Sequence, residues 1–355
     1  QNPLDLGEIF DYTIFTQILE EALKLPDVDG VLFNHLYIAD YEGKMSRDFL
    51  SNVGKLVQQY QKPVAMTMVT DTQELVNISK NQSYPIFTTP LTAAKALNMS
   101  ATYYEEKTAR EARGRAVQTT LDMAAIDIIQ DKCKTQKRIP LTDESLRIVE
   151  AAGIKSIAGA TVKSAKEAGD VSLHFPVAVK LLSRDASHKS DIGGVVLNIN
   201  NAAEVKKAFN DITNRVKKLK GKPKLEGILI AQQVKADLEL VVGAALDAEM
   251  GPVVLFGTGG VDIELMKDVA LAGAPLDAAE ARQLINRTKA GVKLKGYRGK
   301  PALHEASVIK AIVGLSNLMA DAGTRIASVD VNPFLINSKL GVAVDGPFKA
   351  DSYRY

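Results

Sequence analysis

One cysteine, Cys133, occurs among the 355 residues. A lone thiol excludes an internal disulfide and a thiolate-rich metal site, and it favours a reducing compartment, read here as the cytoplasm. An excess of either charge is also missing: 44 Lys plus Arg against 42 Asp plus Glu leave a net charge of +2. That balance is too small for a polyanion groove or an anionic membrane surface, so neither nucleic acid nor membrane is an expected partner. The most apolar stretch, residues 238–260, is interrupted by Glu239, Asp247, Glu249 and Pro252, and nothing approaches the ~20 apolar residues that span a bilayer. Gln1-Asn2-Pro3-Leu4-Asp5 lacks the basic-then-apolar pattern of a signal peptide. With no initiator Met, the start reads as a cut boundary. No internal repeat or low-complexity tract occurs. What is present is ordinary globular material, 46% apolar and 24% charged, enough for two or three units at roughly 150 residues each.

The first third alternates helical and strand periods, the pattern of a parallel sheet covered by helices. Helices are expected over residues 12–25, 46–60, 72–79 and from about 92 to 113. Strands are expected at Val31-Leu32-Phe33, read as buried on both faces, at 63–68 and at 85–87. The charge-dense stretch ending at Arg113 places the edge of this unit near Arg115. Residues 118–138 read as an amphipathic connecting helix, and a new unit begins at Ile139-Pro140. There Thr142 is the expected N-cap of a helix that stops at Gly153, its C′ residue. The pattern continues as helix 163–173, strand 177–181, loop 185–194, strand 195–199, helix 202–219 and strand 227–234.

Several motifs in this second part bear on chemistry. Lys180 ends the strand Pro176-Val177-Ala178-Val179-Lys180, where an ammonium must snorkel outward or meet an anion. The loop Ser187-His188-Lys189-Ser190-Asp191-Ile192-Gly193-Gly194 joins hydroxyls, histidine, lysine and a glycine pair that lets backbone N–H groups approach phosphate oxygens. A phosphate loop and a plain polar hairpin weigh evenly on these residues alone. His188 is a candidate phosphate acceptor through a ring nitrogen; the alternative, a surface histidine, is the reading taken for His35, His174 and His304. Gly257-Thr258-Gly259-Gly260, backed by Asp262 and Glu264, has the spacing of neither the dinucleotide fingerprint nor the G-x-x-x-x-G-K-S/T loop, so a tight sheet connection competes with a flexible binding loop. Near the end, Asn332 and Asp345 flank a hairpin turned at Asn337-Ser338-Lys339, so their oxygens can face one ion. Two hard oxygen donors suit Mg²⁺, which completes its shell with water and phosphates. Taken singly, each residue is equally an exposed turn residue.

Taken together, these motifs resemble the ATP-grasp domain of the ADP-forming acyl-CoA synthetases, relatives of succinyl-CoA synthetase. The resemblance rests on Leu141-Thr142-Asp143-Glu144, Val177-Ala178-Val179-Lys180, His188-Lys189-Ser190-Asp191-Ile192-Gly193-Gly194, Glu239-Leu240-Val241-Val242-Gly243, Phe256-Gly257-Thr258-Gly259-Gly260, Lys267-Asp268, Gly296-Tyr297-Arg298-Gly299-Lys300-Pro301 and Asp330-Val331-Asn332-Pro333. The part opening with Asn2-Pro3-Leu4-Asp5-Leu6 is similar to the flavodoxin-like ligase domain of fused members. The implied α/β architecture is a flavodoxin-like parallel-sheet domain over 1–115, a linker over 116–138, and an ATP-grasp domain over 139–355 with subdomains 139–235 and 236–355. By the same resemblance Lys180, Gly193 and Gly194 contact nucleotide phosphates, Glu239 holds the ribose, Asn332 and Asp345 hold Mg²⁺, and His188 carries phosphate. Gln232 stands where the family has a glutamate near the adenine. ATP or another NTP, Mg²⁺ and CoA are the implied cofactors and co-substrate, and a small carboxylic acid the substrate. The CoA-binding and second ligase domains are expected upstream or on a separate subunit, in an oligomer. Two other readings stand beside this one: another carboxylate-activating ATP-grasp ligase with an acyl-phosphate intermediate, and a non-catalytic nucleotide-binding scaffold, to which Gln232 lends weight.

Overall fold

Asp11 opens the first helix, α1 (Tyr12–Lys24), by accepting the Thr13 N–H at 3.0 Å, which satisfies one of the amides that a helix start leaves unpaired. The computed structural model describes residues 3–7, 9, 11–113, 121–184, 192–219, 223–260, 267–322, 326–346 and 348–350. By its contacts the chain divides into two units, Gln1–Arg115 and Ala116–Tyr355. In the first, β1 (Val31–Leu36), β2 (Val64–Val69) and β3 (Ile86–Phe87) form a parallel sheet in that order. Helices α2 (Ala39–Tyr60), α3 (Thr72–Asn81) and α4 (Pro90–Arg113) connect and follow the strands. Only the central strand is fully covered, from Val64 to Met68. Val31, Leu32 and Phe33 are half-buried, a correction to the expectation for β1: as an edge strand it lacks a neighbour on one side. The second helix begins at Ala39 rather than Ser46, with Asp40 and Glu42 in its first turn, where acidic side chains suit the helix dipole. His35 is not on the surface. It is buried among Tyr12, Phe49 and Tyr37, at ring separations of 5.2, 5.5 and 5.1 Å, with Nε2 3.0 Å from the Ser46 hydroxyl. Burial pushes its pKa down to about 4.

The second unit opens with α5 (Met123–Thr135) and α6 (Thr142–Ala151). The helix expected as a connector puts Ile126, Ile129 and Cys133 into this unit's large core; the start of that expectation, 118–120, lies outside the described residues. Thr142 is the first residue of α6 rather than its cap, and the capping position is Leu141, whose side chain can accept nothing. Glu144 compensates by accepting the Leu141 N–H at 2.9 Å. At the other end Gly153 takes φ 79° and the Ile154 N–H returns to the Val149 carbonyl at 3.1 Å, closing the helix through a left-handed C′ glycine.

A four-stranded antiparallel sheet follows in the order β4-β7-β5-β6, built from β4 (Gly159–Val162), β5 (Val177–Leu182), β6 (Val195–Ile199) and β7 (Gly227–Gln232). The expected helix over 163–173 shrinks to α7 (Ala165–Gly169), capped by Ser164, and β4 has no counterpart in the sequence pattern. Helix α8 (Ala202–Lys218) covers one face, burying Val205, Phe209, Ile212 and Val216 against Val177, Val179, Ile228 and Ile230, each worth about 1.5–3 kcal/mol relative to exposure. The second sheet runs β10-β9-β8-β11-β12 with β13 also on β11, from β8 (Leu238–Asp247), β9 (Gly251–Thr258), β10 (Val269–Gly273), β11 (Ile326–Ile336), β12 (Gly341–Ala343) and β13 (Phe348–Ala350). Helices α9 (Ala278–Asn286), α10 (Lys289–Leu294) and the apolar α11 (Glu305–Ala322) share its core. Among the described residues no helix is long and apolar enough to cross a membrane.

Candidate functional site

Strand alternation sorts the four-stranded sheet into two faces. Val177, Val179 and Leu181 pair with Gln232, Ile230 and Ile228, and the apolar members of this set lie in the core under α7 and α8. Ala178, Lys180 and Leu182 pair with Ala231, Leu229 and Gly227 on the other face, where Leu182, Leu229 and Ala231 join the core shared with the six-stranded sheet. Lys180 therefore points toward that sheet, and its Nζ donates to the Val344 carbonyl at 2.9 Å, across 164 positions of sequence. The same alternation puts Gln232 on the α8 face and Gln233 on the face of Lys180.

Val344 precedes Asp345. The hairpin pairs Phe334 with Ala343, and Asn332 and Asp345 each stand two residues beyond that pair on their own arm. Asp345 accepts the Gly346 N–H at 2.9 Å on Oδ1. Asn332 Oδ1 accepts the Gly260 N–H at 2.9 Å. Gly260 sits at φ 72°, and a Cβ there would run into the Glu239 carboxylate; glycine alone takes this conformation and this approach without cost. The Gly259 N–H donates to the Glu239 carbonyl at 3.0 Å. One turn at the end of β9 thus touches both Glu239 and Asn332. Lys180, Asp345, Asn332 and Glu239 are linked through Val344 and Gly260 along one edge between the sheets.

Gly193, at φ 64°, has its carbonyl bonded by the Arg215 guanidinium of α8, and Gly194 accepts the Leu181 N–H at 2.7 Å. Since Lys180 pairs with Val195, this glycine turn adjoins the lysine. His188 and Lys189 of the same loop, and Asp262 and Glu264 behind the second glycine turn, lie outside the described residues.

Several neighbours have no role assigned from the sequence. Asp268 is buried and accepts from the Thr258 hydroxyl at 2.8 Å and from the Lys289 and Ala290 N–H groups at 2.7 and 2.8 Å. Burial raises its pKa, but these bonds win and hold the carboxyl below the usual range; the result fastens the start of α10 to the strand that carries Gly259 and Gly260. Asp330 is an exposed carboxylate two residues before Asn332, ~7 Å along the strand. Gln233 and Asn198 form an amide pair. Asp268 and Asp330 fall in the stretches Lys267-Asp268 and Asp330-Val331-Asn332-Pro333 that carry the resemblance, but their partners follow from tertiary contacts and not from the local pattern.

The ATP-grasp domain family matches residues 132–349. This chain belongs to the ATP-grasp family. Its relatives are ADP-forming acyl-CoA ligases: the 4-hydroxybutyrate–CoA ligase [ADP-forming] of Nitrosopumilus maritimus is 29% identical over 96% of this chain and 48% of that protein. The acetate–CoA ligase [ADP-forming] I subunit beta of Pyrococcus furiosus is 31% identical over 61% of this chain and 94% of the subunit. Among solved structures, acetyl-coenzyme A synthetase 1 of Ca. Korarchaeum cryptofilum, in complex with coenzyme A and Ca-AMPCP, matches with a TM-score of 0.59 and 32% identity over 62% of this chain and 96% of that one. Another structure of that synthetase holds a phosphorylated phosphohistidine segment. The chain spans about half the length of the 4-hydroxybutyrate ligase. The expected α/β class, a parallel-sheet domain followed by an ATP-grasp fold, is the one adopted.

The ATP-grasp family implies Mg²⁺, and the residues present fit it. No cluster of three His, Cys, Asp or Glu exists among the described residues, but Mg²⁺ at a nucleotide site needs only one or two protein oxygens, the rest coming from water and phosphate. Asn332 and Asp345 offer such a pair of side-chain oxygens, an amide and a carboxylate, the donor types that Mg²⁺ takes.

Proposed function

We propose that this chain is the nucleotide-binding, phosphoryl-transferring half of an acyl-CoA synthetase catalysing acid + CoA + ATP ⇌ acyl-CoA + ADP + phosphate. The observation that carries the reading is the bond from Lys180 to Val344, which brings the ammonium of one sheet to the Asn332 and Asp345 hairpin of the other. In the proposal Lys180 exchanges the carbonyl for a phosphate oxygen, and Gly193 and Gly194 lie over the triphosphate. Glu239 accepts from the ribose hydroxyls, and Asn332 and Asp345 hold Mg²⁺. Bound Mg²⁺ supplies neutralisation of triphosphate charge. Phosphoryl transfer depends mainly on positioning and electrostatics, and an ammonium already held by a strand and a carbonyl needs little reorganisation to serve.

His188 takes the γ-phosphoryl group on a ring nitrogen as ADP leaves, and passes it to the acyl site. That site, with CoA and a small carboxylic acid, belongs to a CoA-binding domain or subunit with which the chain assembles; the homologous Pyrococcus furiosus protein being a separate beta subunit supports this division. The test is labelling of the assembled protein with γ-labelled ATP and Mg²⁺. Acid-labile, base-stable label is expected, and His188→Asn should abolish acyl-CoA synthesis while ATP still binds. Wild-type labelling and turnover in His188→Ala would remove the relay and leave only the nucleotide site.

A further inference from the structure

We infer that Asp268 is a positioning residue for the Mg²⁺ side of the cleft, holding Asn332 in place through the turn at the end of β9, an inference that rests on the nucleotide reading above. Asn332 needs such a hold. The ladder between β8 and β11 pairs Val331 with Val242 and Phe334 with Leu240, and its register shifts between them, so Asn332 and Pro333 stand against Val241 alone. A bulge of two residues against one leaves the regular ladder and re-aims its side chains. What Asn332 meets is the Gly260 N–H, which its Oδ1 accepts at 2.9 Å. That oxygen therefore sits where the Gly259-Gly260 turn puts it.

The turn is fastened from two sides. On one, the Gly259 N–H donates to the Glu239 carbonyl at 3.0 Å. On the other, Thr258 at the end of β9 is bound to Asp268 twice: its N–H donates to the Asp268 carbonyl at 3.1 Å and its hydroxyl to Oδ2 at 2.8 Å. Asp268 is itself fixed by α10, whose Lys289 and Ala290 N–H groups donate to Oδ1 and Oδ2 at 2.7 and 2.8 Å, while Thr288 accepts the Gly291 N–H at 3.0 Å. Asp268 is 8% and Thr258 5% exposed, so water does not replace a bond lost here. Three donors converge on one carboxylate, and an amide cannot stand in for it. In Asp268→Asn, whichever way the amide is turned, its NH₂ faces the N–H of Lys289 or of Ala290. The hold runs from α10 through Asp268, Thr258 and Gly260 to Asn332, whereas Lys180 belongs to the other sheet. Withholding Mg²⁺ therefore separates the two contributions.

The experiment is calorimetric titration of the full chain with Mg·ATP and with ATP in EDTA, beside hydrogen exchange at the Gly260 amide. Asp268→Asn should weaken Mg·ATP binding by about tenfold or more, the usual cost of removing the support behind a metal ligand. Thr258→Val keeps the shape of the side chain and the bonds of α10, so it cuts only the link to the strand; it should weaken Mg·ATP in the same direction and speed exchange at Gly260, even if Asp268→Asn fails to fold. Thr258→Ser restores the hydroxyl and should bind as wild type does. Affinity for ATP in EDTA should be unchanged in all three. Wild-type Mg·ATP affinity in Thr258→Val would overturn the inference, as would an equal loss with and without Mg²⁺, or a loss in Thr258→Ser matching that in Thr258→Val. A wild-type chain that does not bind Mg·ATP would instead remove the nucleotide reading itself.

Discussion

Replacing Glu144 by Ala should cost the second unit about 3–5 kcal/mol of stability. The Arg138 and Glu144 side chains are only 4% and 7% exposed. Glu144 accepts from Arg138 Nη1 and Nη2 at 2.5 and 2.8 Å, from Lys132 at 2.8 Å and from the Leu141 N–H at 2.9 Å. Burial raises its pKa, but the bonds from Arg138, Lys132 and Leu141 outweigh it and hold the group at about 2. Removal of the carboxylate leaves a guanidinium that cannot lose its proton and has little access to water. Truncating one partner of a buried pair costs about 3–5 kcal/mol for this reason; the half-exposed Lys132 contributes little. Urea unfolding read by hydrogen exchange at the α6 amides isolates this unit's transition. The double variant Arg138→Met with Glu144→Leu should lose much less, since no charge is stranded. A loss below about 1 kcal/mol in Glu144→Ala, the value of an exposed pair, would refute the argument.

Acid should weaken the two units in different ranges. His35 is neutral when folded, its pKa lowered by burial to about 4 from an ordinary 6.5. Protonation therefore favours the unfolded chain, and the first unit should lose on the order of 3 kcal/mol as pH falls from 6.5 toward 4. His35→Phe should flatten that slope in hydrogen exchange at the β2 amides, and an unchanged slope would contradict the assignment. Glu144 has its pKa lowered to about 2 from 4.5, so its contribution is complete above 4.5 and fades only as pH falls toward 2; exchange at α6 should begin to rise below pH 4.5 and not above it.

Much of this architecture was readable along the chain. Residues 202–218 show a helical stripe from Val205 to Val216, and the Asn337 turn between two apolar runs makes a hairpin. Gly153 marks a helix end because only glycine is comfortable at its φ of 79°. What escaped depends on tertiary contacts. Gly159–Val162 is strand because it pairs with β7, not because its composition asks for it. Leu141 serves as a cap position because Glu144 reaches back to it, and Glu144 is held in place by Arg138. Lys180 reads as a strand-end lysine, but β5 runs on to Leu182 and the bond to Val344 crosses 164 positions of sequence. The faces of Gln232 and Gln233 follow from register, and a change of one position exchanges them.

Calorimetric titration of the chain measures directly whether Mg·ATP binds where Lys180 meets the Asn332 and Asp345 hairpin. Wild-type protein should bind Mg·ATP, with affinity falling when Mg²⁺ is withheld. Lys180→Met, Asn332→Ala and Asp345→Ala should each weaken binding roughly 10- to 100-fold, the value of a charge-assisted contact, while hydrogen exchange in the two sheets is unchanged. Equal affinity in all three variants and the wild type would contradict the account.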